Sequence, residues 1–299
     1  MYRRILVATD LSEGADVALQ AASDLAARDG AALGVCHVLP DLGPVNILFP
    51  QAVERGSLAM LDLEQRANAA LEAKIQATVP EKVEVEIFLE QGVDYERIVA
   101  RADDWDADLV VIGSRGLTGM RRTLLGSVAE KVVRTAGRRV LVAREGGGGG
   151  PVVAATDLSE PSLPAIRAGA AEAERRGRPL SVVYALELLP QPFAARAGWP
   201  FGVYWQGVDA ETMGEVRKAA EQALASAISV AGVKADSAVV EGVAAAAIID
   251  HLEKTKADLV VAATHGRTGV RRLALGSVAE RLVREAHCSV LIVPLEARA

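Results

Sequence analysis

The chain has 299 residues, of which 51% are apolar and 24% are charged, and its formal net charge at pH 7 is −6. This length and apolar content are sufficient for two compact cores. The negative charge argues against nucleic acid and anionic membrane surfaces as partners. No signal peptide opens the chain and no apolar run approaches about 20 residues, so we expect a cytoplasmic protein without a membrane span.

Short β-branched strands alternate with alanine-rich helices along the whole chain. In the first half the predicted strands are 4–9, 33–39, 83–89, 108–113 and 139–143, and the predicted helices are 14–29, 54–78, 95–103 and 124–136. The predicted strands of the second half are 152–156, 180–186, 234–240, 258–263 and 289–293. Apolar strands separated by helices are typical of a parallel sheet with helices on both faces. The pattern predicts an α/β, Rossmann-like fold.

The two halves repeat the same sequence. Residues 5–13 and 152–160 both end in Ala-Thr-Asp-Leu-Ser-Glu, and Gly-Ser-Val-Ala-Glu occurs at 126–130 and again at 276–280. A repeat of this length is a domain duplication, because it is too long for a solenoid unit.

Five glycines separate the halves. They occupy residues 146–150 and are followed by Pro151, a composition typical of a flexible linker. We therefore predict similar domains at 1–145 and 152–299, joined by a glycine-rich linker at 146–151.

Each half carries a glycine-bearing loop between its predicted fourth strand and the next helix. The first loop follows the pattern Gly-x2-Gly-x9-Gly-Ser, with residues Gly113, Gly116, Gly126 and Ser127. The matching residues of the second loop are Ala263, Gly266, Gly276 and Ser277. Glycine lets backbone N–H groups approach an anion, and a helix N-terminus offers unpaired donors and a positive dipole end. The pattern predicts a phosphate site in each half.

With an aspartate after each first strand, Asp10 and Asp157, these loops resemble those of nucleotide-binding universal stress proteins. The resemblance spans both halves and implies sheets of order 3-2-1-4-5 that bind ATP, or its Mg²⁺ complex, at the strand tips. It also implies an internal pseudo-dimer in which the domains pair through strands 139–143 and 289–293. We further expect a homodimer of the chain and an unidentified protein partner.

The resemblance also assigns roles to individual residues. In the first domain Asp10 would meet the adenine–ribose end of ATP, the backbone of Val38 would bind adenine, and ribose and phosphates would contact Gly113, Gly116, Gly126 and Ser127. In the second domain the matching positions are Asp157, Ala185, Gly266, Gly276 and Ser277. Ala263 departs from the pattern: with a positive φ it would cost about 1 kcal/mol or more, and with a negative φ it would cost little. We expect the first domain to bind ATP and leave both outcomes open for the second.

Structural interpretations compete with these roles. The glycines could permit tight turns, Ser127 and Ser277 lie where a helix N-cap belongs, and Asp10 and Asp157 could cap the first helix of each domain. The chain's histidines form no metal-ligand pattern; they are His37, His251, His265 and His287.

One segment, 193–205, holds five of the eleven aromatic residues of the chain: Phe193, Trp199, Phe201, Tyr204 and Trp205. A long aromatic connection of this kind is typical of a lid or an interface. We expect it to cover apolar surface at a subunit contact or over the second site, or to fold on its own domain.

The leading functional hypothesis is an ATP-binding stress-response or regulatory protein, in which nucleotide occupancy biases a conformation or a dimer contact. The first alternative is a slow ATPase or adenylate-forming enzyme at the same site, against which stand the missing Walker lysine and the lack of a recognisable base. The second alternative is a scaffold or apolar-ligand carrier with vestigial nucleotide sites.

Overall fold

A computed structural model of the chain describes residues 1–40, 50–114, 125–187, 210–264 and 275–295, with the backbone alone for 50–59 and 210. The chain divides into two compact units, Met1–Glu145 and Gly146–Ala299. No helix in the described ranges is long and apolar enough to cross a membrane. The aromatic segment 193–205 lies outside the described residues.

The described part of the first unit alternates strands and helices, and all of its strand pairs are parallel in the order β3-β2-β1-β4-β5. This confirms the predicted order 3-2-1-4-5. The elements are β1 (Arg4–Ala8), α1 (Glu13–Asp29), β2 (Ala32–Leu39), α2 (Pro50–Thr78), β3 (Val85–Gln91), α3 (Asp94–Asp104), β4 (Leu109–Gly113), α4 (Ser127–Thr135) and β5 (Arg139–Ala143).

The second unit repeats this arrangement, with parallel strands in the order β8-β7-β6-β9-β10. A short 3-10 turn, Glu160–Ser162, precedes its first α-helix. The elements are β6 (Val152–Thr156), α5 (Leu163–Arg176), β7 (Leu180–Leu186), α6 (Ala210–Ala231), β8 (Asp236–Glu241), α7 (Ala244–Thr255), β9 (Leu259–Ala263), α8 (Ser277–Glu285) and β10 (Ser289–Val293).

Small residues explain how the helices pack so closely on each sheet. Along α1, Ala18, Ala22 and Ala26 recur every fourth position and are fully buried, because residues four apart share one face of a helix. On α5, a Cβ added to Gly169 would lie 3.0 Å from the Cβ of Ala154 on β6. The alanine-rich helical segments of the sequence are therefore the faces that contact the strands.

Several predicted elements begin two or more residues from their expected starts, including α2 at Pro50 and β8 at Asp236. Strand β3 was expected at 83–89 but begins at Val85, because the Val83 N–H donates to the carbonyl of Pro80 in a turn (3.0 Å). Helix α4 was expected at 124–136 but begins at Ser127. The shift of β3 follows from the turn between Pro80 and Val83, which the pattern of apolar residues does not reveal.

The glycine run 146–150 contacts the end of α7. The Gly150 N–H donates to the carbonyl of Lys256 (3.0 Å). A Cβ added to Gly148 would lie 2.6 Å from that same carbonyl oxygen, and a Cβ added to Gly150 would collide with the carbonyls of Thr255 and Lys256. The absence of side chains at Gly148 and Gly150 is therefore what permits this close approach of backbone to backbone.

Replacing both glycines tests whether the run acts as a flexible linker or as a packed segment. We expect Gly148→Ala with Gly150→Ala to destabilise the second unit by about 1–3 kcal/mol, because each methyl group must displace a backbone carbonyl. The control is Gly214→Ala on α6, where an added Cβ meets no described residue within 4 Å and alanine should stabilise the helix by about 1 kcal/mol. Scanning calorimetry of the full chain measures both, and an unchanged transition in the double variant would favour the linker.

Candidate functional site

A cavity of about 270 Å³ opens in the first unit at the carboxyl ends of β1, β2 and β4, beside the starts of α3 and α4. Ligands of open α/β sheets bind at this position, where the strand order reverses. The cavity is lined by five of the residues that the sequence predicts for the first site: Asp10, Val38, Gly113, Gly126 and Ser127. The sixth, Gly116, lies outside the described residues.

The N-terminus of α4 forms one end of the cavity. Its N-cap is Gly126, which makes no side-chain capping hydrogen bond, and Ser127 is the first helical residue. The N-cap of α8 is likewise Gly276, followed by Ser277. The interpretation of the two serines as N-caps is therefore wrong by one residue. Because glycine has no side chain to cap the helix, the first N–H groups of α4 have no acceptor in the described part of the chain.

Neither the backbone nor packing against the described residues requires a glycine at position 126. Its φ of −64° and ψ of 142° are open to any residue, and a Cβ there would meet, among the described residues, only the carbonyl of Ser114, at 3.8 Å. The interpretation of this glycine as a tight-turn residue therefore lacks support. Its missing side chain leaves space in the cavity at the unpaired end of α4.

Asp10 holds the turn that joins β1 to α1. Its Oδ1 accepts hydrogen bonds from the Ser12 N–H (3.0 Å) and the Ser12 hydroxyl (2.5 Å), and the Ser12 Oγ caps α1 by accepting the Ala15 N–H (3.3 Å). Asp157 makes the same two bonds with Ser159. Both aspartates therefore support the turn that starts the first helix, and Asp10 does so while lining the cavity.

The turn after β1 is strained. Leu11 has a φ of +65° and Leu158, its counterpart, a φ of +66°, a left-handed conformation that costs a residue with a Cβ about 1–2 kcal/mol. The Leu11 N–H donates to the Oγ1 of Thr9 (3.0 Å), which holds the conformation in place. Strain of this kind is concentrated at functional sites, and Leu11 directly follows two residues of the cavity lining, Thr9 and Asp10.

Val38 lies where β2 extends beyond β1. Pairing of these strands ends at Ala8 with Cys36, and the Thr9 N–H then donates to the Cys36 carbonyl (2.9 Å). Backbone groups of a strand point alternately to its two neighbours, so both the N–H and the C=O of Val38 point to the side of β1. They have no partner there among the described residues, and they line the cavity as an adjacent donor and acceptor.

Sequence reasoning missed several residues of the cavity wall: Thr9, Cys36, His37, Asp94 and Ile98. The sequence feature that could have identified His37 and Cys36 as cavity residues is their position next to Val38 at the end of the predicted second strand. Burial raises the pKa of the Cys36 thiol to about 12, with Glu90 adding to the rise and Arg101 opposing it. Cys36 is therefore a neutral, apolar part of the cavity floor and not a nucleophile.

The second unit places Asp157, Ala185, Gly276 and Ser277 at positions equivalent to those of the first site, and Gly266 lies outside the described residues. Ala263 ends β9 opposite Val293 and is absent from the described non-glycine residues with positive φ, which are Leu11, Asp106, Leu158 and Lys256. The strain considered for Ala263 therefore does not arise, and only its methyl group distinguishes it from glycine.

Comparison with known proteins gives the family. The profile of the universal stress protein family matches residues 1–144 and again residues 150–294. The chain belongs to the universal stress protein family. A universal stress protein of Methanocaldococcus jannaschii is 35% identical over 149 residues, which cover 48% of this chain and 80% of the relative. Another, from Thermus aquaticus, is 35% identical over 148 residues, covering 48% of this chain and all of the relative.

Solved structures share the fold over both units. A universal stress protein of Archaeoglobus fulgidus has a TM-score of 0.64 and 18% identity, covering 97% of this chain and 98% of its own. At that identity the similarity shows the fold alone. The family therefore occurs here as a tandem of two domains.

The protonation of Cys36 can be tested by alkylation. We expect iodoacetamide at pH 8 to modify Cys36 at least about a hundredfold more slowly in the native protein than in urea, because only the thiolate reacts. Peptide mass spectrometry separates Cys36 from Cys288, which is also buried and serves as the internal reference. Equal rates at Cys36 in native and unfolded protein would contradict a buried neutral thiol.

The raised pKa also has a consequence for stability. Since the unfolded chain loses the Cys36 proton near pH 8.5 and the folded chain near about 12, the contribution of this thiol to stability is complete below that lower pH and falls as the pH rises. Cys36→Ala should therefore flatten the loss of stability between about pH 8.5 and 11, measured by urea unfolding.

Proposed function

We propose that the first unit binds ATP in the cavity and that the protein acts as an ATP-binding regulatory protein. The observation that carries this proposal is the presence of unpaired backbone groups at two ends of one cavity. The start of α4 offers donors at one end, and Val38 offers a donor and an acceptor at the other. A nucleotide has complementary groups at its phosphate and base ends.

The α4 end suits the phosphates. Unpaired N–H groups and the positive end of the helix dipole favour an anion, and the space beside Gly126 admits it. The described residues offer no alternative explanation for a glycine at this N-cap, where serine, aspartate or asparagine would stabilise the helix better.

The Val38 end suits adenine. Adenine carries an acceptor, N1, next to its N6 amino donor, and these complement the N–H and C=O of Val38. Guanine carries the reverse arrangement, a carbonyl next to an N1–H donor, and would place like groups against each other. We therefore propose an adenine nucleotide as the ligand, with Asp10 next to the ribose and Gly113 beneath it.

Magnesium would enter with the nucleotide. In the described ranges no group of three or more His, Cys, Asp or Glu side chains could hold a metal ion. We therefore propose that any Mg²⁺ is bound mainly by the phosphates, as is common for nucleotide sites.

Occupancy itself can be the regulatory signal. A ligand that binds the folded state at a concentration of 100 times its Kd stabilises that state by about 2.7 kcal/mol. ATP bound across β1, β2 and α4 would therefore stiffen the strand ends and could bias a contact with a partner. Pairing of the domains through residues 139–143 and 289–293, and a homodimer of the chain, stay predictions of the resemblance.

Substitution of the α4 N-cap separates binding from folding. We expect Gly126→Asp to weaken ATP binding about a hundredfold, because its carboxylate caps the helix and repels the phosphates. The same change should stabilise the nucleotide-free protein by a few tenths of a kcal/mol or more, because aspartate is a better N-cap than glycine. Isothermal titration and urea unfolding measure the two effects.

The matched control is Gly276→Asp, at the equivalent N-cap of α8. If the first unit holds the working site, this variant keeps wild-type affinity for ATP. Unchanged ATP binding in Gly126→Asp would contradict the proposal. Release of ADP from wild-type protein with Mg²⁺, lost in Gly126→Asp, would identify the site as that of an ATPase.

A further inference from the structure

The two units differ by one backbone pair at the point where their first two strands separate. In the first unit the pairing of β1 with β2 ends at Ala8 and Cys36. In the second unit the pairing of β6 with β7 continues one residue further, to Thr156 and Tyr184. Thr156 is the counterpart of Thr9, so this threonine belongs to the strand pairing of the second unit and lies one residue beyond it in the first.

The direction of the backbone groups is the same in both units. Thr9 donates its N–H to Cys36, and Val152 donates its N–H to Pro179 (both 2.9 Å). In a parallel pair every second residue of a strand faces the same neighbour. The next acceptor on the first strand is therefore the carbonyl of Thr9 in the first unit and that of Thr156 in the second. In the second unit the register places the Ala185 N–H opposite the Thr156 carbonyl. In the first unit the corresponding donor would be the N–H of Val38.

The Thr9 carbonyl instead accepts a hydrogen bond from a side chain. His37 Nδ1 lies 2.8 Å from the Thr9 oxygen, and because a carbonyl oxygen only accepts, Nδ1 is the nitrogen that carries the proton. Tyr184, the counterpart of His37, has no nitrogen at that position to donate to the Thr156 carbonyl.

Among the described residues the carbonyl of Val38 has no hydrogen-bond donor, for a reason that both units share. Its next donor along β1 would be the Leu11 N–H, which donates to Thr9 Oγ1 (3.0 Å). In the second unit the Leu158 N–H donates to Thr156 Oγ1 at the same distance of 3.0 Å. The difference between the units therefore concerns the N–H of Val38 and of Ala185, and not their carbonyls.

We propose that His37 is a positioning residue which, by binding the Thr9 carbonyl, keeps the Val38 N–H out of the sheet and available to the nucleotide base. The inference rests on the proposed function. In the second unit Tyr184 leaves the Ala185 N–H bonded within the sheet, so that site lacks the donor that adenine N1 requires. Adenine N1 bound next to Ala185 would lose its hydrogen bond to water and would gain no replacement from the protein.

Backbone amide exchange tests the role of His37 without any nucleotide. In the full-length protein we expect Val38 to exchange quickly, and His37→Phe to slow that exchange about tenfold or more, because the freed Thr9 carbonyl captures the Val38 N–H. His37→Asn should restore fast exchange, since the asparagine amide nitrogen occupies the place of Nδ1. Tyr184→His should speed the exchange of Ala185.

Nucleotide binding provides the second measurement. We expect His37→Phe to raise the Kd for ATP about tenfold and His37→Asn to retain most of the affinity. Equal Val38 exchange in wild type and His37→Phe overturns the inference, whether or not ATP binds. His37→Asn that behaves like His37→Phe also overturns it, because packing of the ring would then be responsible. If the amides respond as expected but the wild type binds no ATP, the proposed function fails and the effect of His37 on strand pairing stands.

Discussion

The site depends on where the backbone pairing between β1 and β2 stops. Inside a parallel sheet every peptide group is bonded to a neighbouring strand, and a ligand can bind only where that pairing ends. β1 leaves the sheet after Ala8 through a strained turn at Leu11, whereas β2 continues to Leu39. The overhanging residues of β2 therefore present backbone groups to the cavity, and the strain at Leu11 is a cost of exposing them.

Two kinds of unpaired backbone group act together in this cavity. In the proposed nucleotide site, Val38 offers a donor and an acceptor that complement the edge of adenine, and the start of α4 offers donors that suit any phosphate. The neutral thiol of Cys36 also lines the cavity and adds no charge to it. The proposed site thus combines specificity at one end with electrostatic attraction at the other, without a lysine or arginine among its described lining residues.

The repeat and the strand order could be predicted from the sequence, because apolar strands separated by helices are a local pattern. Three features could not. The N-cap of α4 is Gly126 and not Ser127, a shift of one residue that patterns do not resolve. The lack of backbone strain at Ala263 depends on its φ angle, which is set by the sheet. The role of His37 depends on the register of two strands distant in sequence, so it was indistinguishable from an ordinary strand histidine.

The most direct test of this account is the response of assigned backbone amides to a non-hydrolysable ATP analogue, followed by NMR on the full-length chain. The account predicts large shifts at Val38 and at Ser127, Val128 and Ala129, with little change at the equivalent Ala185 and at Ser277, Val278 and Ala279. Equal responses in both units would contradict the role of His37 in distinguishing them. Shifts confined to the second unit, or none at all, would contradict nucleotide binding at the cavity of the first.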